Sequence, residues 1–144
     1  MTTGAMRQKQ SVLTISTPGR GMLNITREVA TLLSGSSIKE GMLHLFVQHT
    51  SCSLLIQENA DPEVQSDLER FLFRLVPDGD AIFSHTAEGP DDMPAHVRSA
   101  LTATNLSIPV SGGHMALGVW QGIYLFEHRL HASRRRIVVH IAGV

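Results

Sequence analysis

The chain has 144 residues, which fits one domain of ordinary size and leaves no room for a second full one. Hydrophobic residues make up 42% and charged residues 17%, too apolar for a disordered chain and poor in charge for a monomer surface, so part of that surface is expected to lie in an oligomer. A net charge of −1 supplies no field strong enough to hold a nucleic-acid backbone or an anionic membrane, which leaves a small molecule as the expected partner.

A single cysteine, Cys52, excludes an intrachain disulfide, and the opening MTTGAMRQKQ lacks the apolar stretch of a signal peptide. No segment reaches the roughly 20 apolar residues that span a bilayer, so the cytoplasm is the expected compartment. The eight histidines stand out, because few structural roles call for imidazole in such number.

In chain order, Val12, Leu13 and Ile15 predict a strand ending at Pro18-Gly19. Asn24 then caps a helix whose apolar positions Ile25, Val29, Leu32 and Leu33 recur until Gly35-Ser36-Ser37. From Met42 to His49 the period changes to two, placing Leu43, Leu45, Val47 and His49 on one face and Met42, His44, Phe46 and Gln48 on the other. Ser53 to Gln57 reads as another strand. Asp61-Pro62-Glu63 then opens a helix with a cap, a first-turn proline and an acidic residue, and its apolar stripe is Val64, Leu68, Phe71, Leu72 and Leu75.

Residues 78–92 are polar and aperiodic, a long loop of the kind that usually has a task. A short helix follows through Leu101, capped by Asp92 or Met93. Leu106–Val110, Met115–Val119, Trp120–Glu127 and Arg136–Ile141 read as strands, separated by Gly112-Gly113 and by a turn at Ala132-Ser133. Strands grouped around helices without regular βαβ alternation predict an α+β fold, a compact single domain built on a mainly antiparallel sheet or sandwich with two to three helices.

Three stretches carry chemistry. In the first, His49-Thr50-Ser51-Cys52 precedes Gln57-Glu58-Asn59-Ala60-Asp61. Asp61 is explained as a cap, whereas Glu58 and Asn59 have no capping role visible in the sequence and are the stronger functional candidates. The second runs from His85 through Glu88, Asp91 and Asp92 to His96. Its histidines can hold a metal, act as acid–base groups without one, or serve in capping and hydrogen bonding, and their spacing is not that of a zinc finger or an HExxH helix.

The third is Trp120 to Glu127, where Gln121 and Glu127 share a face with Ile123 and Leu125. Polar groups there require partners, in a site or a structural network. Cys52, beside Leu54 and Leu55, reads as a small buried hydrophobe, and His114, His128, His131 and His140 as surface or packing residues. Arg134-Arg135-Arg136 reads as a solvated turn or ion-pair cluster, with an anion site as the alternative.

The succession HTSCSLLIQENADPEV, a Leu-Val-Pro turn, SHTAEGPDDMPAH, LSIPV, LGVWQGIYLFEHR and a basic turn before a closing strand resembles the YjbQ family over residues 7–144. Residues 1–6 fall outside that pattern and read as a disordered extension. The resemblance implies a homotrimer with histidine and acidic sites near subunit contacts. It also implies a secondary thiamine-phosphate synthase activity, joining a pyrimidine methyl pyrophosphate to a thiazole phosphate with release of pyrophosphate. The motif positions are His49, Thr50, Ser51, Glu58, Asn59, Asp61, Asp67, His85, Asp92, His96, Gly118, Trp120, Gln121 and Glu127. Cys52 stands where the family commonly carries a small residue such as alanine.

The expected catalytic groups are therefore His49, Glu58, Asp92 and His96, and the expected substrate contacts Thr50, Ser51, Asn59, Trp120, Gln121 and Glu127. A divalent metal, Zn²⁺ or Mg²⁺, is expected on His49, His85 and His96. A phosphorylated small molecule is the expected substrate. The rivals are a metal-dependent hydrolase, with Glu58 or Asp92 as general base, and a non-catalytic trimeric binding protein for a metabolite or anion.

Overall fold

In the computed structural model, which describes residues 4–144, the elements in chain order are β1 (Arg7–Thr17), β2 (Gly21–Asn24), α1 (Thr26–Ser36), β3 (Gly41–Val47), β4 (Cys52–Glu58), α2 (Pro62–Leu75), α3 (Asp92–Leu101), β5 (Asn105–Ser111), β6 (His114–Met115), β7 (Gln121–Glu127) and β8 (Ser133–Gly143). They form a five-stranded sheet in the order β1-β8-β3-β5-β6 and a three-stranded sheet in the order β2-β7-β4. All the pairings within both sheets are antiparallel. This is the expected α+β fold, with three helices.

The alternation read in β3 is realised: Leu43, Leu45 and Val47 are buried, while Met42, His44 and Phe46 stay exposed. Their buried partners are Ile108 and Val110 on β5, Ile137, Val139 and Ile141 on β8, Ile123 and Leu125 on β7, and Ile25, Val29 and Leu33 of the α1 segment. Burying each such side chain stabilises the fold by about 1.5–3 kcal/mol, so this one cluster dominates the favourable side of folding. Gly112 and Gly113, at φ 58° and 80°, form the two-residue turn between β5 and β6, a conformation open to glycine at little cost.

At the helix starts, Asp61 accepts a hydrogen bond from the Glu63 N–H at 2.9 Å and Pro62 occupies the first turn of α2, as the sequence predicts. Asn24 Oδ1 accepts from the Thr26 N–H at 3.0 Å, although the cap position itself is Ile25. The α3 cap is Asp91, one residue before the expected Asp92, because the Asp92 backbone already belongs to the helix.

Several expectations are corrected. Between the Pro18-Gly19 turn and the first helix lies an unexpected strand, Gly21–Asn24, which pairs with Asn24 opposite Tyr124. Of the expected Met115–Val119 strand only Met115 pairs, in a two-residue strand with His114; the chain then turns away, and the Gly118 N–H is taken by Gln121 Oε1 at 2.7 Å. Trp120, expected to begin the strand through Glu127, precedes β7 and is 62% exposed. Arg134 to Arg136 lie inside β8 rather than in a turn, with Arg135 buried and its neighbours exposed.

The α2 stripe splits: Val64, Leu68 and Leu72 are half-buried, whereas Phe71 and Leu75 face solvent. Of the extension expected over residues 1–6, residues 1–3 lie outside the described residues, and residues 4–6 carry no regular structure. Among the described residues no helix is long and apolar enough to cross a membrane.

Candidate metal centre

The long loop before α3 and the first turns of that helix bring three of the expected residues together. Asp92 and His96 share a face of α3 by their i, i+4 spacing, and His85 reaches them from the loop. Asp92 Oδ2 lies 3.0 Å from His85 Nε2 and 3.2 Å from His96 Nε2, and one ligand atom from each residue falls within 4.8 Å of the others. The Asp92 carboxylate is buried, His96 half-buried and His85 exposed, so the group opens to solvent on one side.

Two further contacts fix this geometry. His96 Nδ1 is 2.9 Å from the Thr50 carbonyl oxygen, which can only accept, so Nδ1 carries the proton and the Nε2 lone pair of the neutral ring points at Asp92. Two acceptors then face each other, an arrangement satisfied by a second proton on His96 or by a cation among the three groups. Arg129 holds the rest of the carboxylate pair: Nη1 donates to Asp92 Oδ1 at 2.8 Å, Nε to Asp91 Oδ2 at 2.9 Å, and Nη2 to the Glu88 carbonyl at 3.0 Å. Burial alone would push the Asp91 carboxyl up, but the Leu130 N–H and the Arg129 guanidinium more than offset it and hold it below the usual carboxylate range.

His49 lies outside this group, although it shares a surface hollow with Thr50 and His96. The chain has left the β3 ladder there, and the imidazole substitutes for a strand carbonyl, accepting the Arg136 N–H at Nε2 at 2.9 Å. Its proton is thereby assigned to Nδ1, 3.4 Å from Arg135 Nη1, and burial followed by the Arg135 charge lowers its pKa. Ser51 Oγ accepts from Arg135 Nη2 at 3.0 Å.

Glu127 is fully enclosed. It takes Thr17 Oγ1 at 2.6 Å, Arg135 Nε at 2.8 Å and the N–H groups of His128 and Arg129. Burial works against its ionised form, but those donors outweigh it and its pKa is lowered. Glu127 thus joins the three-stranded sheet to β8 of the other sheet.

Glu58, Asn59, Trp120 and Gln121 gather at the opposite end of the β4–β7 ladder, where Glu58 faces Gln121 while Cys52 faces Glu127. Six residue steps of strand separate the two ends by about 20 Å. There Glu58 Oε2 accepts the N–H groups of Ala60 and Asp61 at 3.0 and 2.8 Å, and Asn59 N donates to the Trp120 carbonyl at 3.0 Å. These side chains hold a turn.

The sequence reading missed Arg129 and the Thr50 carbonyl. Arg129 had a signal, a charged residue two positions beyond a buried strand, but nothing in the sequence shows that it returns to the Asp91-Asp92 pair.

An antiparallel two-sheet α+β domain with a solvent-facing His–Asp–His group is thus the class of protein that fold and site define. The chain matches the family model described as UPF0047 protein YjbQ-like over residues 11–144, and it belongs to that family. It is 46% identical over 137 residues to the UPF0047 protein sll1880 of Synechocystis sp., covering 95% of this chain and 93% of that one. It is also similar to the solved structure of the conserved hypothetical protein TT1486 from Thermus thermophilus, at a TM-score of 0.80 and 38% identity over 90% of this chain and 97% of that one. The fold is shared with a YbjQ-like protein of unknown function from Sulfolobus solfataricus, at a TM-score of 0.89 and 23% identity over 97% of this chain and 100% of that one.

Proposed function

We propose that the protein is an enzyme of small phosphorylated molecules whose centre is a divalent cation held by His85, Asp92 and His96. The observation that carries this reading is the His96 lone pair aimed at Asp92 Oδ2, with the opposite ring nitrogen committed to the Thr50 carbonyl. Two imidazole nitrogens and one carboxylate oxygen suit Zn²⁺ or a similar transition ion, whereas Mg²⁺ prefers oxygen ligands alone. When bound, such a cation supplies a positive charge for phosphoryl oxygens. The chain's own part is to fix the two rings through Thr50 and Asp92, and to fix Asp92 through Arg129.

Within that class, the thiamine-phosphate synthase-like reaction is the one to test first, because departure of pyrophosphate places negative charge where this centre would hold positive charge. Metal-loaded wild-type protein and His96→Ala are incubated with the pyrimidine methyl pyrophosphate and the thiazole phosphate. Product from the wild type alone supports the reading, and none from either overturns the synthase assignment. A second reading, metal-assisted hydrolysis, is favoured by the donor set itself, since two histidines and a carboxylate with open positions suit hydrolytic zinc chemistry. Release of phosphate from a single substrate would identify it. Tight binding of either substrate without turnover would point to a binding protein instead.

The cation is tested separately by elemental analysis of protein purified without a histidine tag or chelator. About one ion per subunit, lost in His85→Ala and His96→Ala, is the expected result for a tight catalytic zinc site. The homotrimer belongs to the same proposal. Val12 and Phe46 flank Val138 across the outer face of the five-stranded sheet, and with Phe71, Val119 and Trp120 they leave apolar surface that association would cover.

A further inference from the structure

Beside His85 the long loop borders a half-open cavity of about 310 Å³, lined by Ala81, Phe83, Pro90, Met93 and Pro94 together with His85. That volume is at the lower end of small-molecule pockets, which run from about 300 to 1,000 Å³, and it suits one ring better than a chain of groups. The wall is mainly apolar, and the Asp80 carboxylate, the Thr86 hydroxyl and the His85 imidazole are its polar groups.

The cavity is held open by the loop's own bonding. The Gly79 N–H donates to the Pro90 carbonyl at 3.0 Å and closes the neck. Asp78 at the base is gripped by Arg20 at 2.9 Å and by the fully buried Arg98 at 3.1 Å. Arg98 also donates to the Val76 carbonyl at 3.3 Å and the His128 carbonyl at 3.1 Å, tying the loop to the end of α2 and to the chain after β7. At the other end, Arg129 holds the Glu88 carbonyl and both carboxylates at the start of α3. Three arginines thus anchor the ends of the loop, Arg20 and Arg98 at one and Arg129 at the other, and a preformed pocket binds without a large ordering cost.

We infer that this cavity is the specificity pocket of the centre, taking a flat, uncharged ring on a substrate whose oxyanion reaches the cation held by His85, Asp92 and His96. The inference rests on the cation reading above. It places the ring against Phe83 and the prolines rather than on Trp120, which lies in the turn that Asn59 and Gln121 hold at the far end of the β4–β7 ladder. With Asp91 paired to Arg129, a divalent ion beside Asp92 would leave the centre net positive, which suits an oxyanion next to an apolar wall.

The test uses Co²⁺-loaded full-length protein titrated with methylphosphonate and phenylphosphonate, followed by calorimetry and by the cobalt absorption bands. Both anions should perturb the bands, and phenylphosphonate should bind at least about 10-fold more tightly because its ring is buried. Phe83→Ala removes a wall and Ala81→Trp fills the space. Each should bring the ratio of affinities close to 1 while retaining bound Co²⁺, which also reports that the variant is folded. Equal affinities for the two anions in the wild type would overturn the pocket and leave the cation centre standing. Absence of Co²⁺ binding would overturn both.

Discussion

Arg129 donates from Nη1 to Asp92 Oδ1 at 2.8 Å, and this leaves Asp92 Oδ2 as the oxygen that faces the two imidazoles. The guanidinium touches no proposed ligand other than Asp92; it acts by holding that carboxylate. Arg129→Ala should therefore weaken the cation site by about 10- to 100-fold, the usual cost of losing a group that orients a ligand. Arg129→Lys keeps the charge but loses the forked geometry, and it should rescue only part of that loss. Competition with a chelator of known affinity measures both. An unchanged affinity in Arg129→Ala would show that Asp92 needs no such support.

Glu127 and Arg135 meet where the two sheets close, Glu127 fully buried and Arg135 nearly so. Removing one partner leaves the other charge buried and unpaired, so Glu127→Ala should destabilise the protein by about 3–5 kcal/mol. Replacing both by leucine should cost less than Glu127→Ala alone, because no charge is then stranded. Urea unfolding of the single and double variants decides the matter, and a double variant worse than the single would contradict it.

Much of this fold was legible because the apolar period matched the structure locally. The β3 alternation and the Asp61-Pro62 helix start depend on neighbouring residues alone. What was not legible depended on distant partners. Gly21–Asn24 is a strand only because β7 lies beside it, and Arg135 sits among basic neighbours yet points inward to Glu127. In the site, the loop after residue 78 and the histidine at the next helix were visible as a convergence, since Asp92 and His96 are one helical turn apart. His49 and Glu58 could not be placed from sequence, because ring and carboxylate alike substitute for backbone partners in bends that no local pattern announces.

Cys52, the first residue of β4, is fully buried, and burial pushes its thiol pKa up to about 12. The thiolate needed for alkylation or disulfide exchange is therefore scarce at neutral pH. Native protein should not react with a disulfide reagent such as dithionitrobenzoate at mildly alkaline pH, and one thiol per chain should appear on denaturation. Fast reaction of the native state would contradict the buried, protonated thiol.

His128 gives the clearest pH dependence. It is fully buried between Phe126, 4.4 Å away by ring centroid, and Ser53 Oγ, 2.8 Å from its Nε2. A second proton would leave an N–H on Nδ1, which has no hydrogen-bond partner, and burial together with Arg98, Arg20 and Arg135 lowers its pKa from 6.5 to about 3. Between those values the unfolded chain binds the proton and the folded one does not, so stability falls as pH drops below the unfolded value. The loss from this group is about 1.4 kcal/mol per pH unit, or about 2 kcal/mol by about pH 5. Glu127, with its depressed pKa, loses its contribution only at the lower pH of carboxylate protonation. His128→Gln keeps a polar partner for Ser53 but cannot titrate. It should be less stable than wild type at neutral pH, with a shallower decline from about pH 6.5 to about pH 5 in urea unfolding. Parallel declines in the two proteins would show that His128 is already charged in the fold.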